Sequence, residues 1–390
     1  MGRQVLLEDR LVDDAWVGID AGRIVDIGSG RPPGPYRRLD DGVLAPGLVD
    51  AQLNGAFGVD LIAADSSEWH EVHTRLPGTG VTAVVPTFIT APVDDLAVAM
   101  RAARRHMATS DASGSASSAR TIGLHLEGPF LAPTRCGAHD SRHLLDPTPR
   151  AIDTLIDAGA DALRYVTLAP ERPGALTATE QLVRAGIRVA VGHSDASDDQ
   201  VTAAADAGAS LVTHLYNAQR PLRHRDPGVV GAALGDPRFT VGLIADLHHV
   251  APGAIRVAFA AASGRIMLVT DATAALGMPP GTYDLGGQVT VVRDGAPPVR
   301  PDGTIAGSAL RLDDAVTNVV RCGVDHAVAL TAASRVPADA LGRADLGRLA
   351  IGLPADLVWL GEDGRTRTTW LDGRIVFGRT AFEATPREEP

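Results

Sequence analysis

Eight short stretches of the chain are almost wholly apolar, rich in Val, Ile and Leu, and each stops at a polar or special residue. In order they are VLAPGLVDAQLN (43–54), VTAVVPTF (81–88), TIGLHLE (121–127), LRYVTLAPE (163–171), IRVAVGHSD (187–195), SLVTHLYN (210–217), TVGLIADLHH (240–249) and RIMLVTD (265–271). Runs that are apolar on both faces suit strands buried on both sides, hence parallel ones. Between them lie segments with helical periodicity: SEWHEVHTRLPG, VDDLAVAMRAARRHM, PRAIDTLIDAG, ATEQLVRAG, SDDQVTAAADAG and PGAIRVAFAAASG. Many of these close on Gly, the usual C-terminal helix stop. Eight strands alternating with helices predict a (β/α)8 barrel of the TIM type. LRLDDAVTNVVRCG (310–323) and DHAVALTAASRVPADALG (325–342) supply closing helices.

The pattern changes at both ends. Residues 1–47 and 347–380 alternate apolar and turn residues, as short antiparallel strands do. They predict a small β-sandwich domain made from 1–47 and 347–390, beside a barrel domain over 48–346. A hairpin-like insert, 281–305, follows the eighth strand. TSDASGSASSA (109–119) reads as a flexible surface loop and the terminal PREEP as a frayed tail.

In such barrels the active site gathers at the C-terminal ends of the strands. Here those ends carry Gln52, Asn54, Glu127, His193, Asp195, His214, Asn217, His249 and Asp271. Glu127, inside HLEGPF, places a carboxylate where burial of a charge is costly. A metal ion removes that difficulty. A lone histidine is more often a hydrogen-bonded core residue than a ligand. Glu127, His193 and His214, at three strand ends of one barrel, form a usual set for a catalytic divalent ion with one position left for water. Two nitrogens and an oxygen suit zinc, and other divalent ions accept the same set. Asp271 ends the eighth strand as a general base for a metal-bound water, as a fourth ligand or as a helix cap. The sequence alone leaves these three open.

Composition narrows the chemistry. The chain of 390 residues carries a net charge of −11 and no basic stripe, which argues against a nucleic-acid partner. All 36 basic residues are arginine, so no Schiff-base, P-loop or metal-bridging lysine exists. Cys136 and Cys322 form no CxxC pair and fit a reducing cytoplasm. No signal-peptide pattern and no apolar run of about 18 residues is visible, so neither export nor a membrane span is expected.

PGLVDAQLNG, GLHLEGPF, VTLAPE, GHSDA, THLYNA and LVTDAT, taken in order, resemble the N-acetylglucosamine-6-phosphate deacetylases of the amidohydrolase superfamily. The resemblance runs over nearly the whole chain, terminal β segments included. It implies hydrolysis of N-acetylglucosamine 6-phosphate to glucosamine 6-phosphate and acetate. By the same resemblance Glu127, His193 and His214 bind one divalent ion, and Asp271 takes a proton from its water and passes it to the leaving amine. His139, in CGAHD, matches the histidine that polarises the amide carbonyl. Ala138, Asn217, the backbone of Ala218, His249 and the Ile305–Ala306–Gly307 stretch match substrate contacts. Arg225 matches a phosphate ligand that reaches in from the neighbouring subunit, which implies a homodimer.

The sequence also departs from that pattern. Gln52 and Asn54 stand where many amidohydrolases have HxH, and no lysine can bridge two ions, so one metal is expected, with Gln52 the candidate ligand of a weak second site. Gln219 replaces a commoner Met, ADLHH lacks a usual glycine, and Ala309 replaces a usual serine. These three changes, near the expected sugar pocket, open action on a related N-acyl sugar phosphate such as the galactosamine epimer; an alternative of a different class is an inactive sugar-phosphate sensor. Retention of Asp271 argues against the sensor, because a binder needs no general base.

Overall fold

Register, rather than strand length, makes the barrel. The computed structural model describes residues 1–112 and 117–378. Its barrel strands are Leu48–Leu53, Val81–Ile89, Leu124–Glu127, Leu163–Leu168, Arg188–Val191, Leu211–Val212, Thr240–Leu243 and Ile266–Leu268. Each pairs in parallel with the next, and the third is preceded by a short stretch, Arg120–Thr121, on the same neighbour. The last meets the first beyond its own end: Asp271 N–H donates to the Gln52 carbonyl at 2.9 Å and Asn54 N–H to that of Ala272 at 2.8 Å. Asp50 reinforces this seam, its Oδ2 accepting the Thr270 hydroxyl at 2.6 Å. The strands are buried nearly throughout, as their apolar runs require, and Phe88, Leu124 and Leu126 are among the fully buried side chains.

The helices that pack outside the barrel include all six of the periodic segments between the strands. Pro149–Gly159, for example, takes Thr148 as its N-cap. One helix, Gly228–Gly235 (GVVGAALG), was not legible. It is apolar all round, so it carries no amphipathic signal. The closing segment 325–342 supplies two helices, His326–Ala332 and Arg335–Ala340, since Pro337 fits only the first turn of a helix. One expectation is corrected. Part of the expected loop at 109–119 is helix, since Val93–Ala112 continues through it; residues 113–116 and the tail PREEP lie outside the described residues.

Both chain ends build one six-stranded sheet, in the order Arg10–Asp13, Gly2–Leu7, Leu39–Pro46, Leu357–Leu360, Thr366–Leu371, Arg374–Gly378. Leu39–Pro46 and Leu357–Leu360 join the two ends in antiparallel register. A hairpin, Ala15–Asp20 with Arg23–Ser29, packs on this sheet around Val5, Ala15, Ile24, Leu44 and Leu357. After the eighth barrel strand, Gly281–Leu285 and Gln288–Val292 form a second hairpin. Its tip is tied down, since Gly286 N–H donates to Asp60 Oδ2 at 2.6 Å and Gln288 Nε2 to the Ala138 carbonyl at 2.9 Å.

Arg120, at the start of the third barrel strand region, links the barrel to the terminal sheet. It donates to Asp356, which is 8% exposed, and to Asp372 at 2.6 Å. Loss of this arginine strands the buried Asp356 carboxylate. Arg120→Ala is therefore expected to destabilise the protein by about 1–3 kcal/mol, read as a lower midpoint of urea unfolding. Arg184→Ala, which breaks an exposed pair with Glu180, is expected to shift it by no more than about 0.5 kcal/mol. Equal shifts in the two variants would remove Arg120 as a structural tie.

Candidate metal centre and its cleft

Glu127 is the last residue of the third barrel strand, whereas His193, His214 and Asp271 stand two or three residues past theirs. All three of the latter have positive φ, at 47°, 23° and 49°. The chain thus leaves strand geometry where it must aim a side chain across the barrel mouth, at a cost of about 1–3 kcal/mol per residue. Glu127, His139, His193, His214 and Asp271 are all buried, and all line one cleft of about 400 Å³.

Three atoms converge there. His214 Nε2 lies 2.8 Å from Glu127 Oε1, His193 Nε2 lies 3.2 Å from the same oxygen, and the two nitrogens are 3.2 Å apart. His193 Nδ1–H donates to the Arg135 carbonyl at 2.8 Å, so in the neutral ring Nε2 is a bare lone pair. A lone pair facing a carboxylate oxygen needs a cation between them. Ligands of a tetrahedral ion at about 2.0–2.1 Å stand about 3.3 Å from one another, close to the spacing seen. The residues therefore fit a divalent ion. Between protein groups alone, burial disfavours a charged His214, but the contact with Glu127 outweighs it and pushes the imidazole up to about 9. A positive charge is wanted at this point, and a divalent ion would supply it. His214 Nδ1 is buried without a partner.

His139 joins the cluster with a ligand atom within 4.8 Å of those of Glu127 and His193. Its tautomer sets it apart from a ligand. The Thr90 backbone N–H donates to His139 Nδ1 at 3.3 Å, with the Thr90 hydroxyl 2.9 Å away. Nδ1 therefore carries the lone pair and Nε2 the proton. Burial first, and the nearby His193 second, push His139 down to about 3, so it stays neutral. A neutral donor suits a carbonyl oxygen better than it suits a metal.

Asp271 Oδ1 accepts from Gln52 Nε2 at 3.0 Å and from Asn54 Nδ2 at 2.7 Å. Burial, then the charge of Glu127, raise its pKa to about 6. Gln52 Nε2 also donates to Glu127 Oε2 at 3.1 Å, so one amide links the two carboxylates. Gln52 itself does not line the cleft, and with Nε2 engaged twice it serves here as a donor.

Of the other residues singled out in the sequence, Ala138, Asn217, Ala218, His249, Ile305 and Gly307 line the cleft. His249 is fixed by Asp246, whose Oδ2 lies 2.7 Å from its Nδ1, while His248 is exposed outside the cleft wall. Ala306 is not on the wall; it is buried with Ile89 and Leu285, and its N–H donates to the Pro298 carbonyl. Arg225 is exposed and lies outside its own chain's cleft. Leu247, where the missing glycine would stand, still has a φ of 66°. Gln219 is buried within its own loop, bonded to Tyr216 N–H and the Thr213 carbonyl, so that change does not touch the cleft. Thr90, Arg135, Glu171 and Asp195 complete the surroundings. Glu171 and Asp195 stood in quoted motifs, but hydrogen-bond partners from distant segments leave no trace in sequence spacing.

The sequence matches the Amidohydrolase family over residues 43–376. It is 39% identical over 348 residues to the N-acetylglucosamine-6-phosphate deacetylase of Vibrio furnissii, covering 89% of this chain and 85% of that one. It is 37% identical to the N-acetylgalactosamine-6-phosphate deacetylase of Escherichia coli O157:H7, covering 96% of this chain and 98% of that one. The crystal structure of N-acetyl-D-glucosamine-6-phosphate deacetylase from Mycobacterium smegmatis superposes with a TM-score of 0.90 at 37% identity, covering 96% of this chain and 99% of that one. A mutant of that enzyme has been solved in complex with N-acetyl-D-glucosamine-6-phosphate. The chain belongs to the amidohydrolase family, among its N-acetylglucosamine-6-phosphate deacetylases.

Proposed function

We propose that the protein hydrolyses the acetamide of N-acetylglucosamine 6-phosphate, giving glucosamine 6-phosphate and acetate. The observation that carries this reading is the single cleft in which Glu127, His193 and His214 converge beside an Asp271 held by two amides and a neutral His139. Glu127, His193 and His214 would hold one divalent ion, for which we propose zinc. Such an ion supplies Lewis-acid polarisation of a carbonyl and a lower pKa for water.

The rest of the reaction falls to the chain's own groups. Asp271, with Oδ1 occupied by Gln52 and Asn54, takes the proton of the attacking water on Oδ2 and returns it to the leaving nitrogen. His139 donates Nε2–H to the amide carbonyl oxygen as charge builds there. The C–N bond breaks, acetate keeps the water oxygen, and the amine leaves with the proton. Asn217, the backbone of Ala218 and His249 bind the sugar phosphate, with Ala138, Ile305 and Gly307 beside it. Arg225 of the partner subunit completes the phosphate site, so the working form is a homodimer. Its exposure outside its own cleft supports this reading. A sugar-phosphate substrate and two free thiols fit the cytoplasm.

A second reading, action on N-acetylgalactosamine 6-phosphate, rests on the relative of that name at 37% identity. Acetate release from the two epimers, measured side by side with elemental analysis, separates the readings. We expect faster turnover of the gluco epimer and about one tightly bound divalent ion per chain. A clear preference for the galacto epimer reverses the substrate assignment, and no acetate from either substrate with a full metal site overturns the reaction.

Asp271→Asn is expected to keep fold and metal and to lose about 10²–10⁴-fold in turnover, as removal of a general base does. Arg225→Ala is expected to reduce the preference for the phosphorylated over the plain sugar by about ten- to a hundredfold, a charge-assisted hydrogen bond being worth roughly 1.5–3 kcal/mol. Mixing the two impaired chains gives a dimer with one doubly defective and one intact site, so activity on the phosphorylated sugar should partly return. With subunit exchange verified, absence of any recovery would show that Arg225 does not act across the interface.

A further inference from the structure

His193 is bracketed by a closed ring of hydrogen bonds that no step of the reaction above uses. Its carbonyl accepts Ala132 N–H at 2.9 Å, and its Nδ1–H donates to the Arg135 carbonyl at 2.8 Å. The Ala132–Arg135 turn thus touches both the main chain and the ring of one metal-ligand candidate. Arg135 is itself anchored by its side chain, with Nε and Nη2 at 2.9 and 2.6 Å from Asp195 Oδ1. Asp195 follows His193 by two residues and gives its N–H to Glu171 Oε1 at 2.6 Å. Glu171 Oε2 accepts the hydroxyl of Ser194 at 2.7 Å. Glu171 therefore grips both residues that follow His193, at a point where His193 has a φ of 47°.

We infer that Glu171, Asp195 and Arg135 form a clasp that positions the His193 imidazole, and that it sets the affinity of the site for its metal. This rests on the metal reading of the preceding section. The physical argument is the tautomer. The Arg135 carbonyl holds the proton on His193 Nδ1 and so leaves Nε2 free for an ion, and a ligating histidine held in this way binds more tightly. The acceptor is a backbone carbonyl on a turn, and a turn holds one orientation only as well as its anchors do. The Arg135–Asp195 pair is one-third to two-fifths exposed, so little of its value lies in bulk stability. Its value is geometric. The same segment continues to Ala138 and His139, so the clasp also ties the metal ligand to the loop that carries the carbonyl donor.

The test uses the metal-depleted full-length protein with zinc alone as the probe, titrated in competition with a chromophoric chelator. Asp195→Ala and Glu171→Gln are each expected to weaken zinc binding by about 10–100-fold, the range found when outer partners of metal ligands are removed. Urea unfolding of the metal-depleted protein should stay close to that of the parent. Asp195→Asn, which keeps an oxygen for Arg135, should recover part of the loss. Amide exchange at 133–139 should slow on zinc addition in the parent and slow less in Asp195→Ala. Zinc affinity within about twofold of the parent in both Asp195→Ala and Glu171→Gln, with unchanged unfolding, overturns the clasp. Should Asp195→Ala fail to fold, Glu171→Gln and Arg135→Lys decide the matter: the clasp predicts weaker zinc binding in both, and parental affinity in both refutes it. A parent that binds zinc no better than His214→Ala contradicts the metal reading itself, which is a different result from a parent that binds well beside variants that bind equally well.

Discussion

One buried carboxylate organises this protein. Glu127 is 2% exposed at the mouth of a barrel whose walls are apolar, and its Oε1 faces two imidazole nitrogens. An isolated ionised carboxylate there would be too costly to bury, so the fold has to bring positive charge to it. It has no lysine with which to do so, and Arg135, which lines the same cleft, gives its guanidinium to Asp195. Two lone-pair donors and one anion at about 3 Å are what a small divalent cation requires.

The rest of the barrel mouth follows from that demand. A parallel barrel delivers strand ends to one rim, but a strand end points its side chain along a fixed direction. His193, His214 and Asp271 escape that direction through positive φ. Such residues persist only where their neighbours over-determine them. Each has such support here. His193 has the Arg135 carbonyl, Leu215 beside His214 donates its N–H to the Gly242 carbonyl at 2.7 Å, and Asp271 is bonded through its main chain to Gln52 and Ser308. Backbone strain and site geometry are thus one problem, solved by the same hydrogen bonds.

How far the sequence discloses this depends on whether the information is local. Strand runs such as VTAVVPTF are legible because burial on both faces needs unbroken apolar residues, and the convergence of Glu127, His193 and His214 is legible because they stand at the ends of such runs. GVVGAALG is not legible as a helix, because an all-apolar helix and a buried strand share one pattern. The split after Ala332 hinges on Pro337, whose place within a helix only the fold decides. Asp271 could be read three ways; its partners Gln52 and Asn54 lie more than 200 residues away, at separations of 219 and 217. Thr90 was invisible for the same reason, since its role is to fix a tautomer 49 residues distant.

The amide pair at the first strand shows how one substitution of chemistry has two effects. Histidines at positions 52 and 54 would offer lone pairs and so invite a second ion into the rim. Amides offer donors instead. Gln52 spends its Nε2 on Glu127 Oε2 and Asp271 Oδ1, and Asn54 spends its Nδ2 on the same Asp271 oxygen. Both donors disfavour protonation of that oxygen, while burial and the Glu127 charge favour it. The balance leaves Asp271 near 6, an acidity at which a carboxylate can both accept a proton and release it near neutral pH. Gln52, which reaches Glu127, therefore also helps Asn54 to hold Asp271, and the first strand shapes the cluster through hydrogen bonds that cross the barrel mouth.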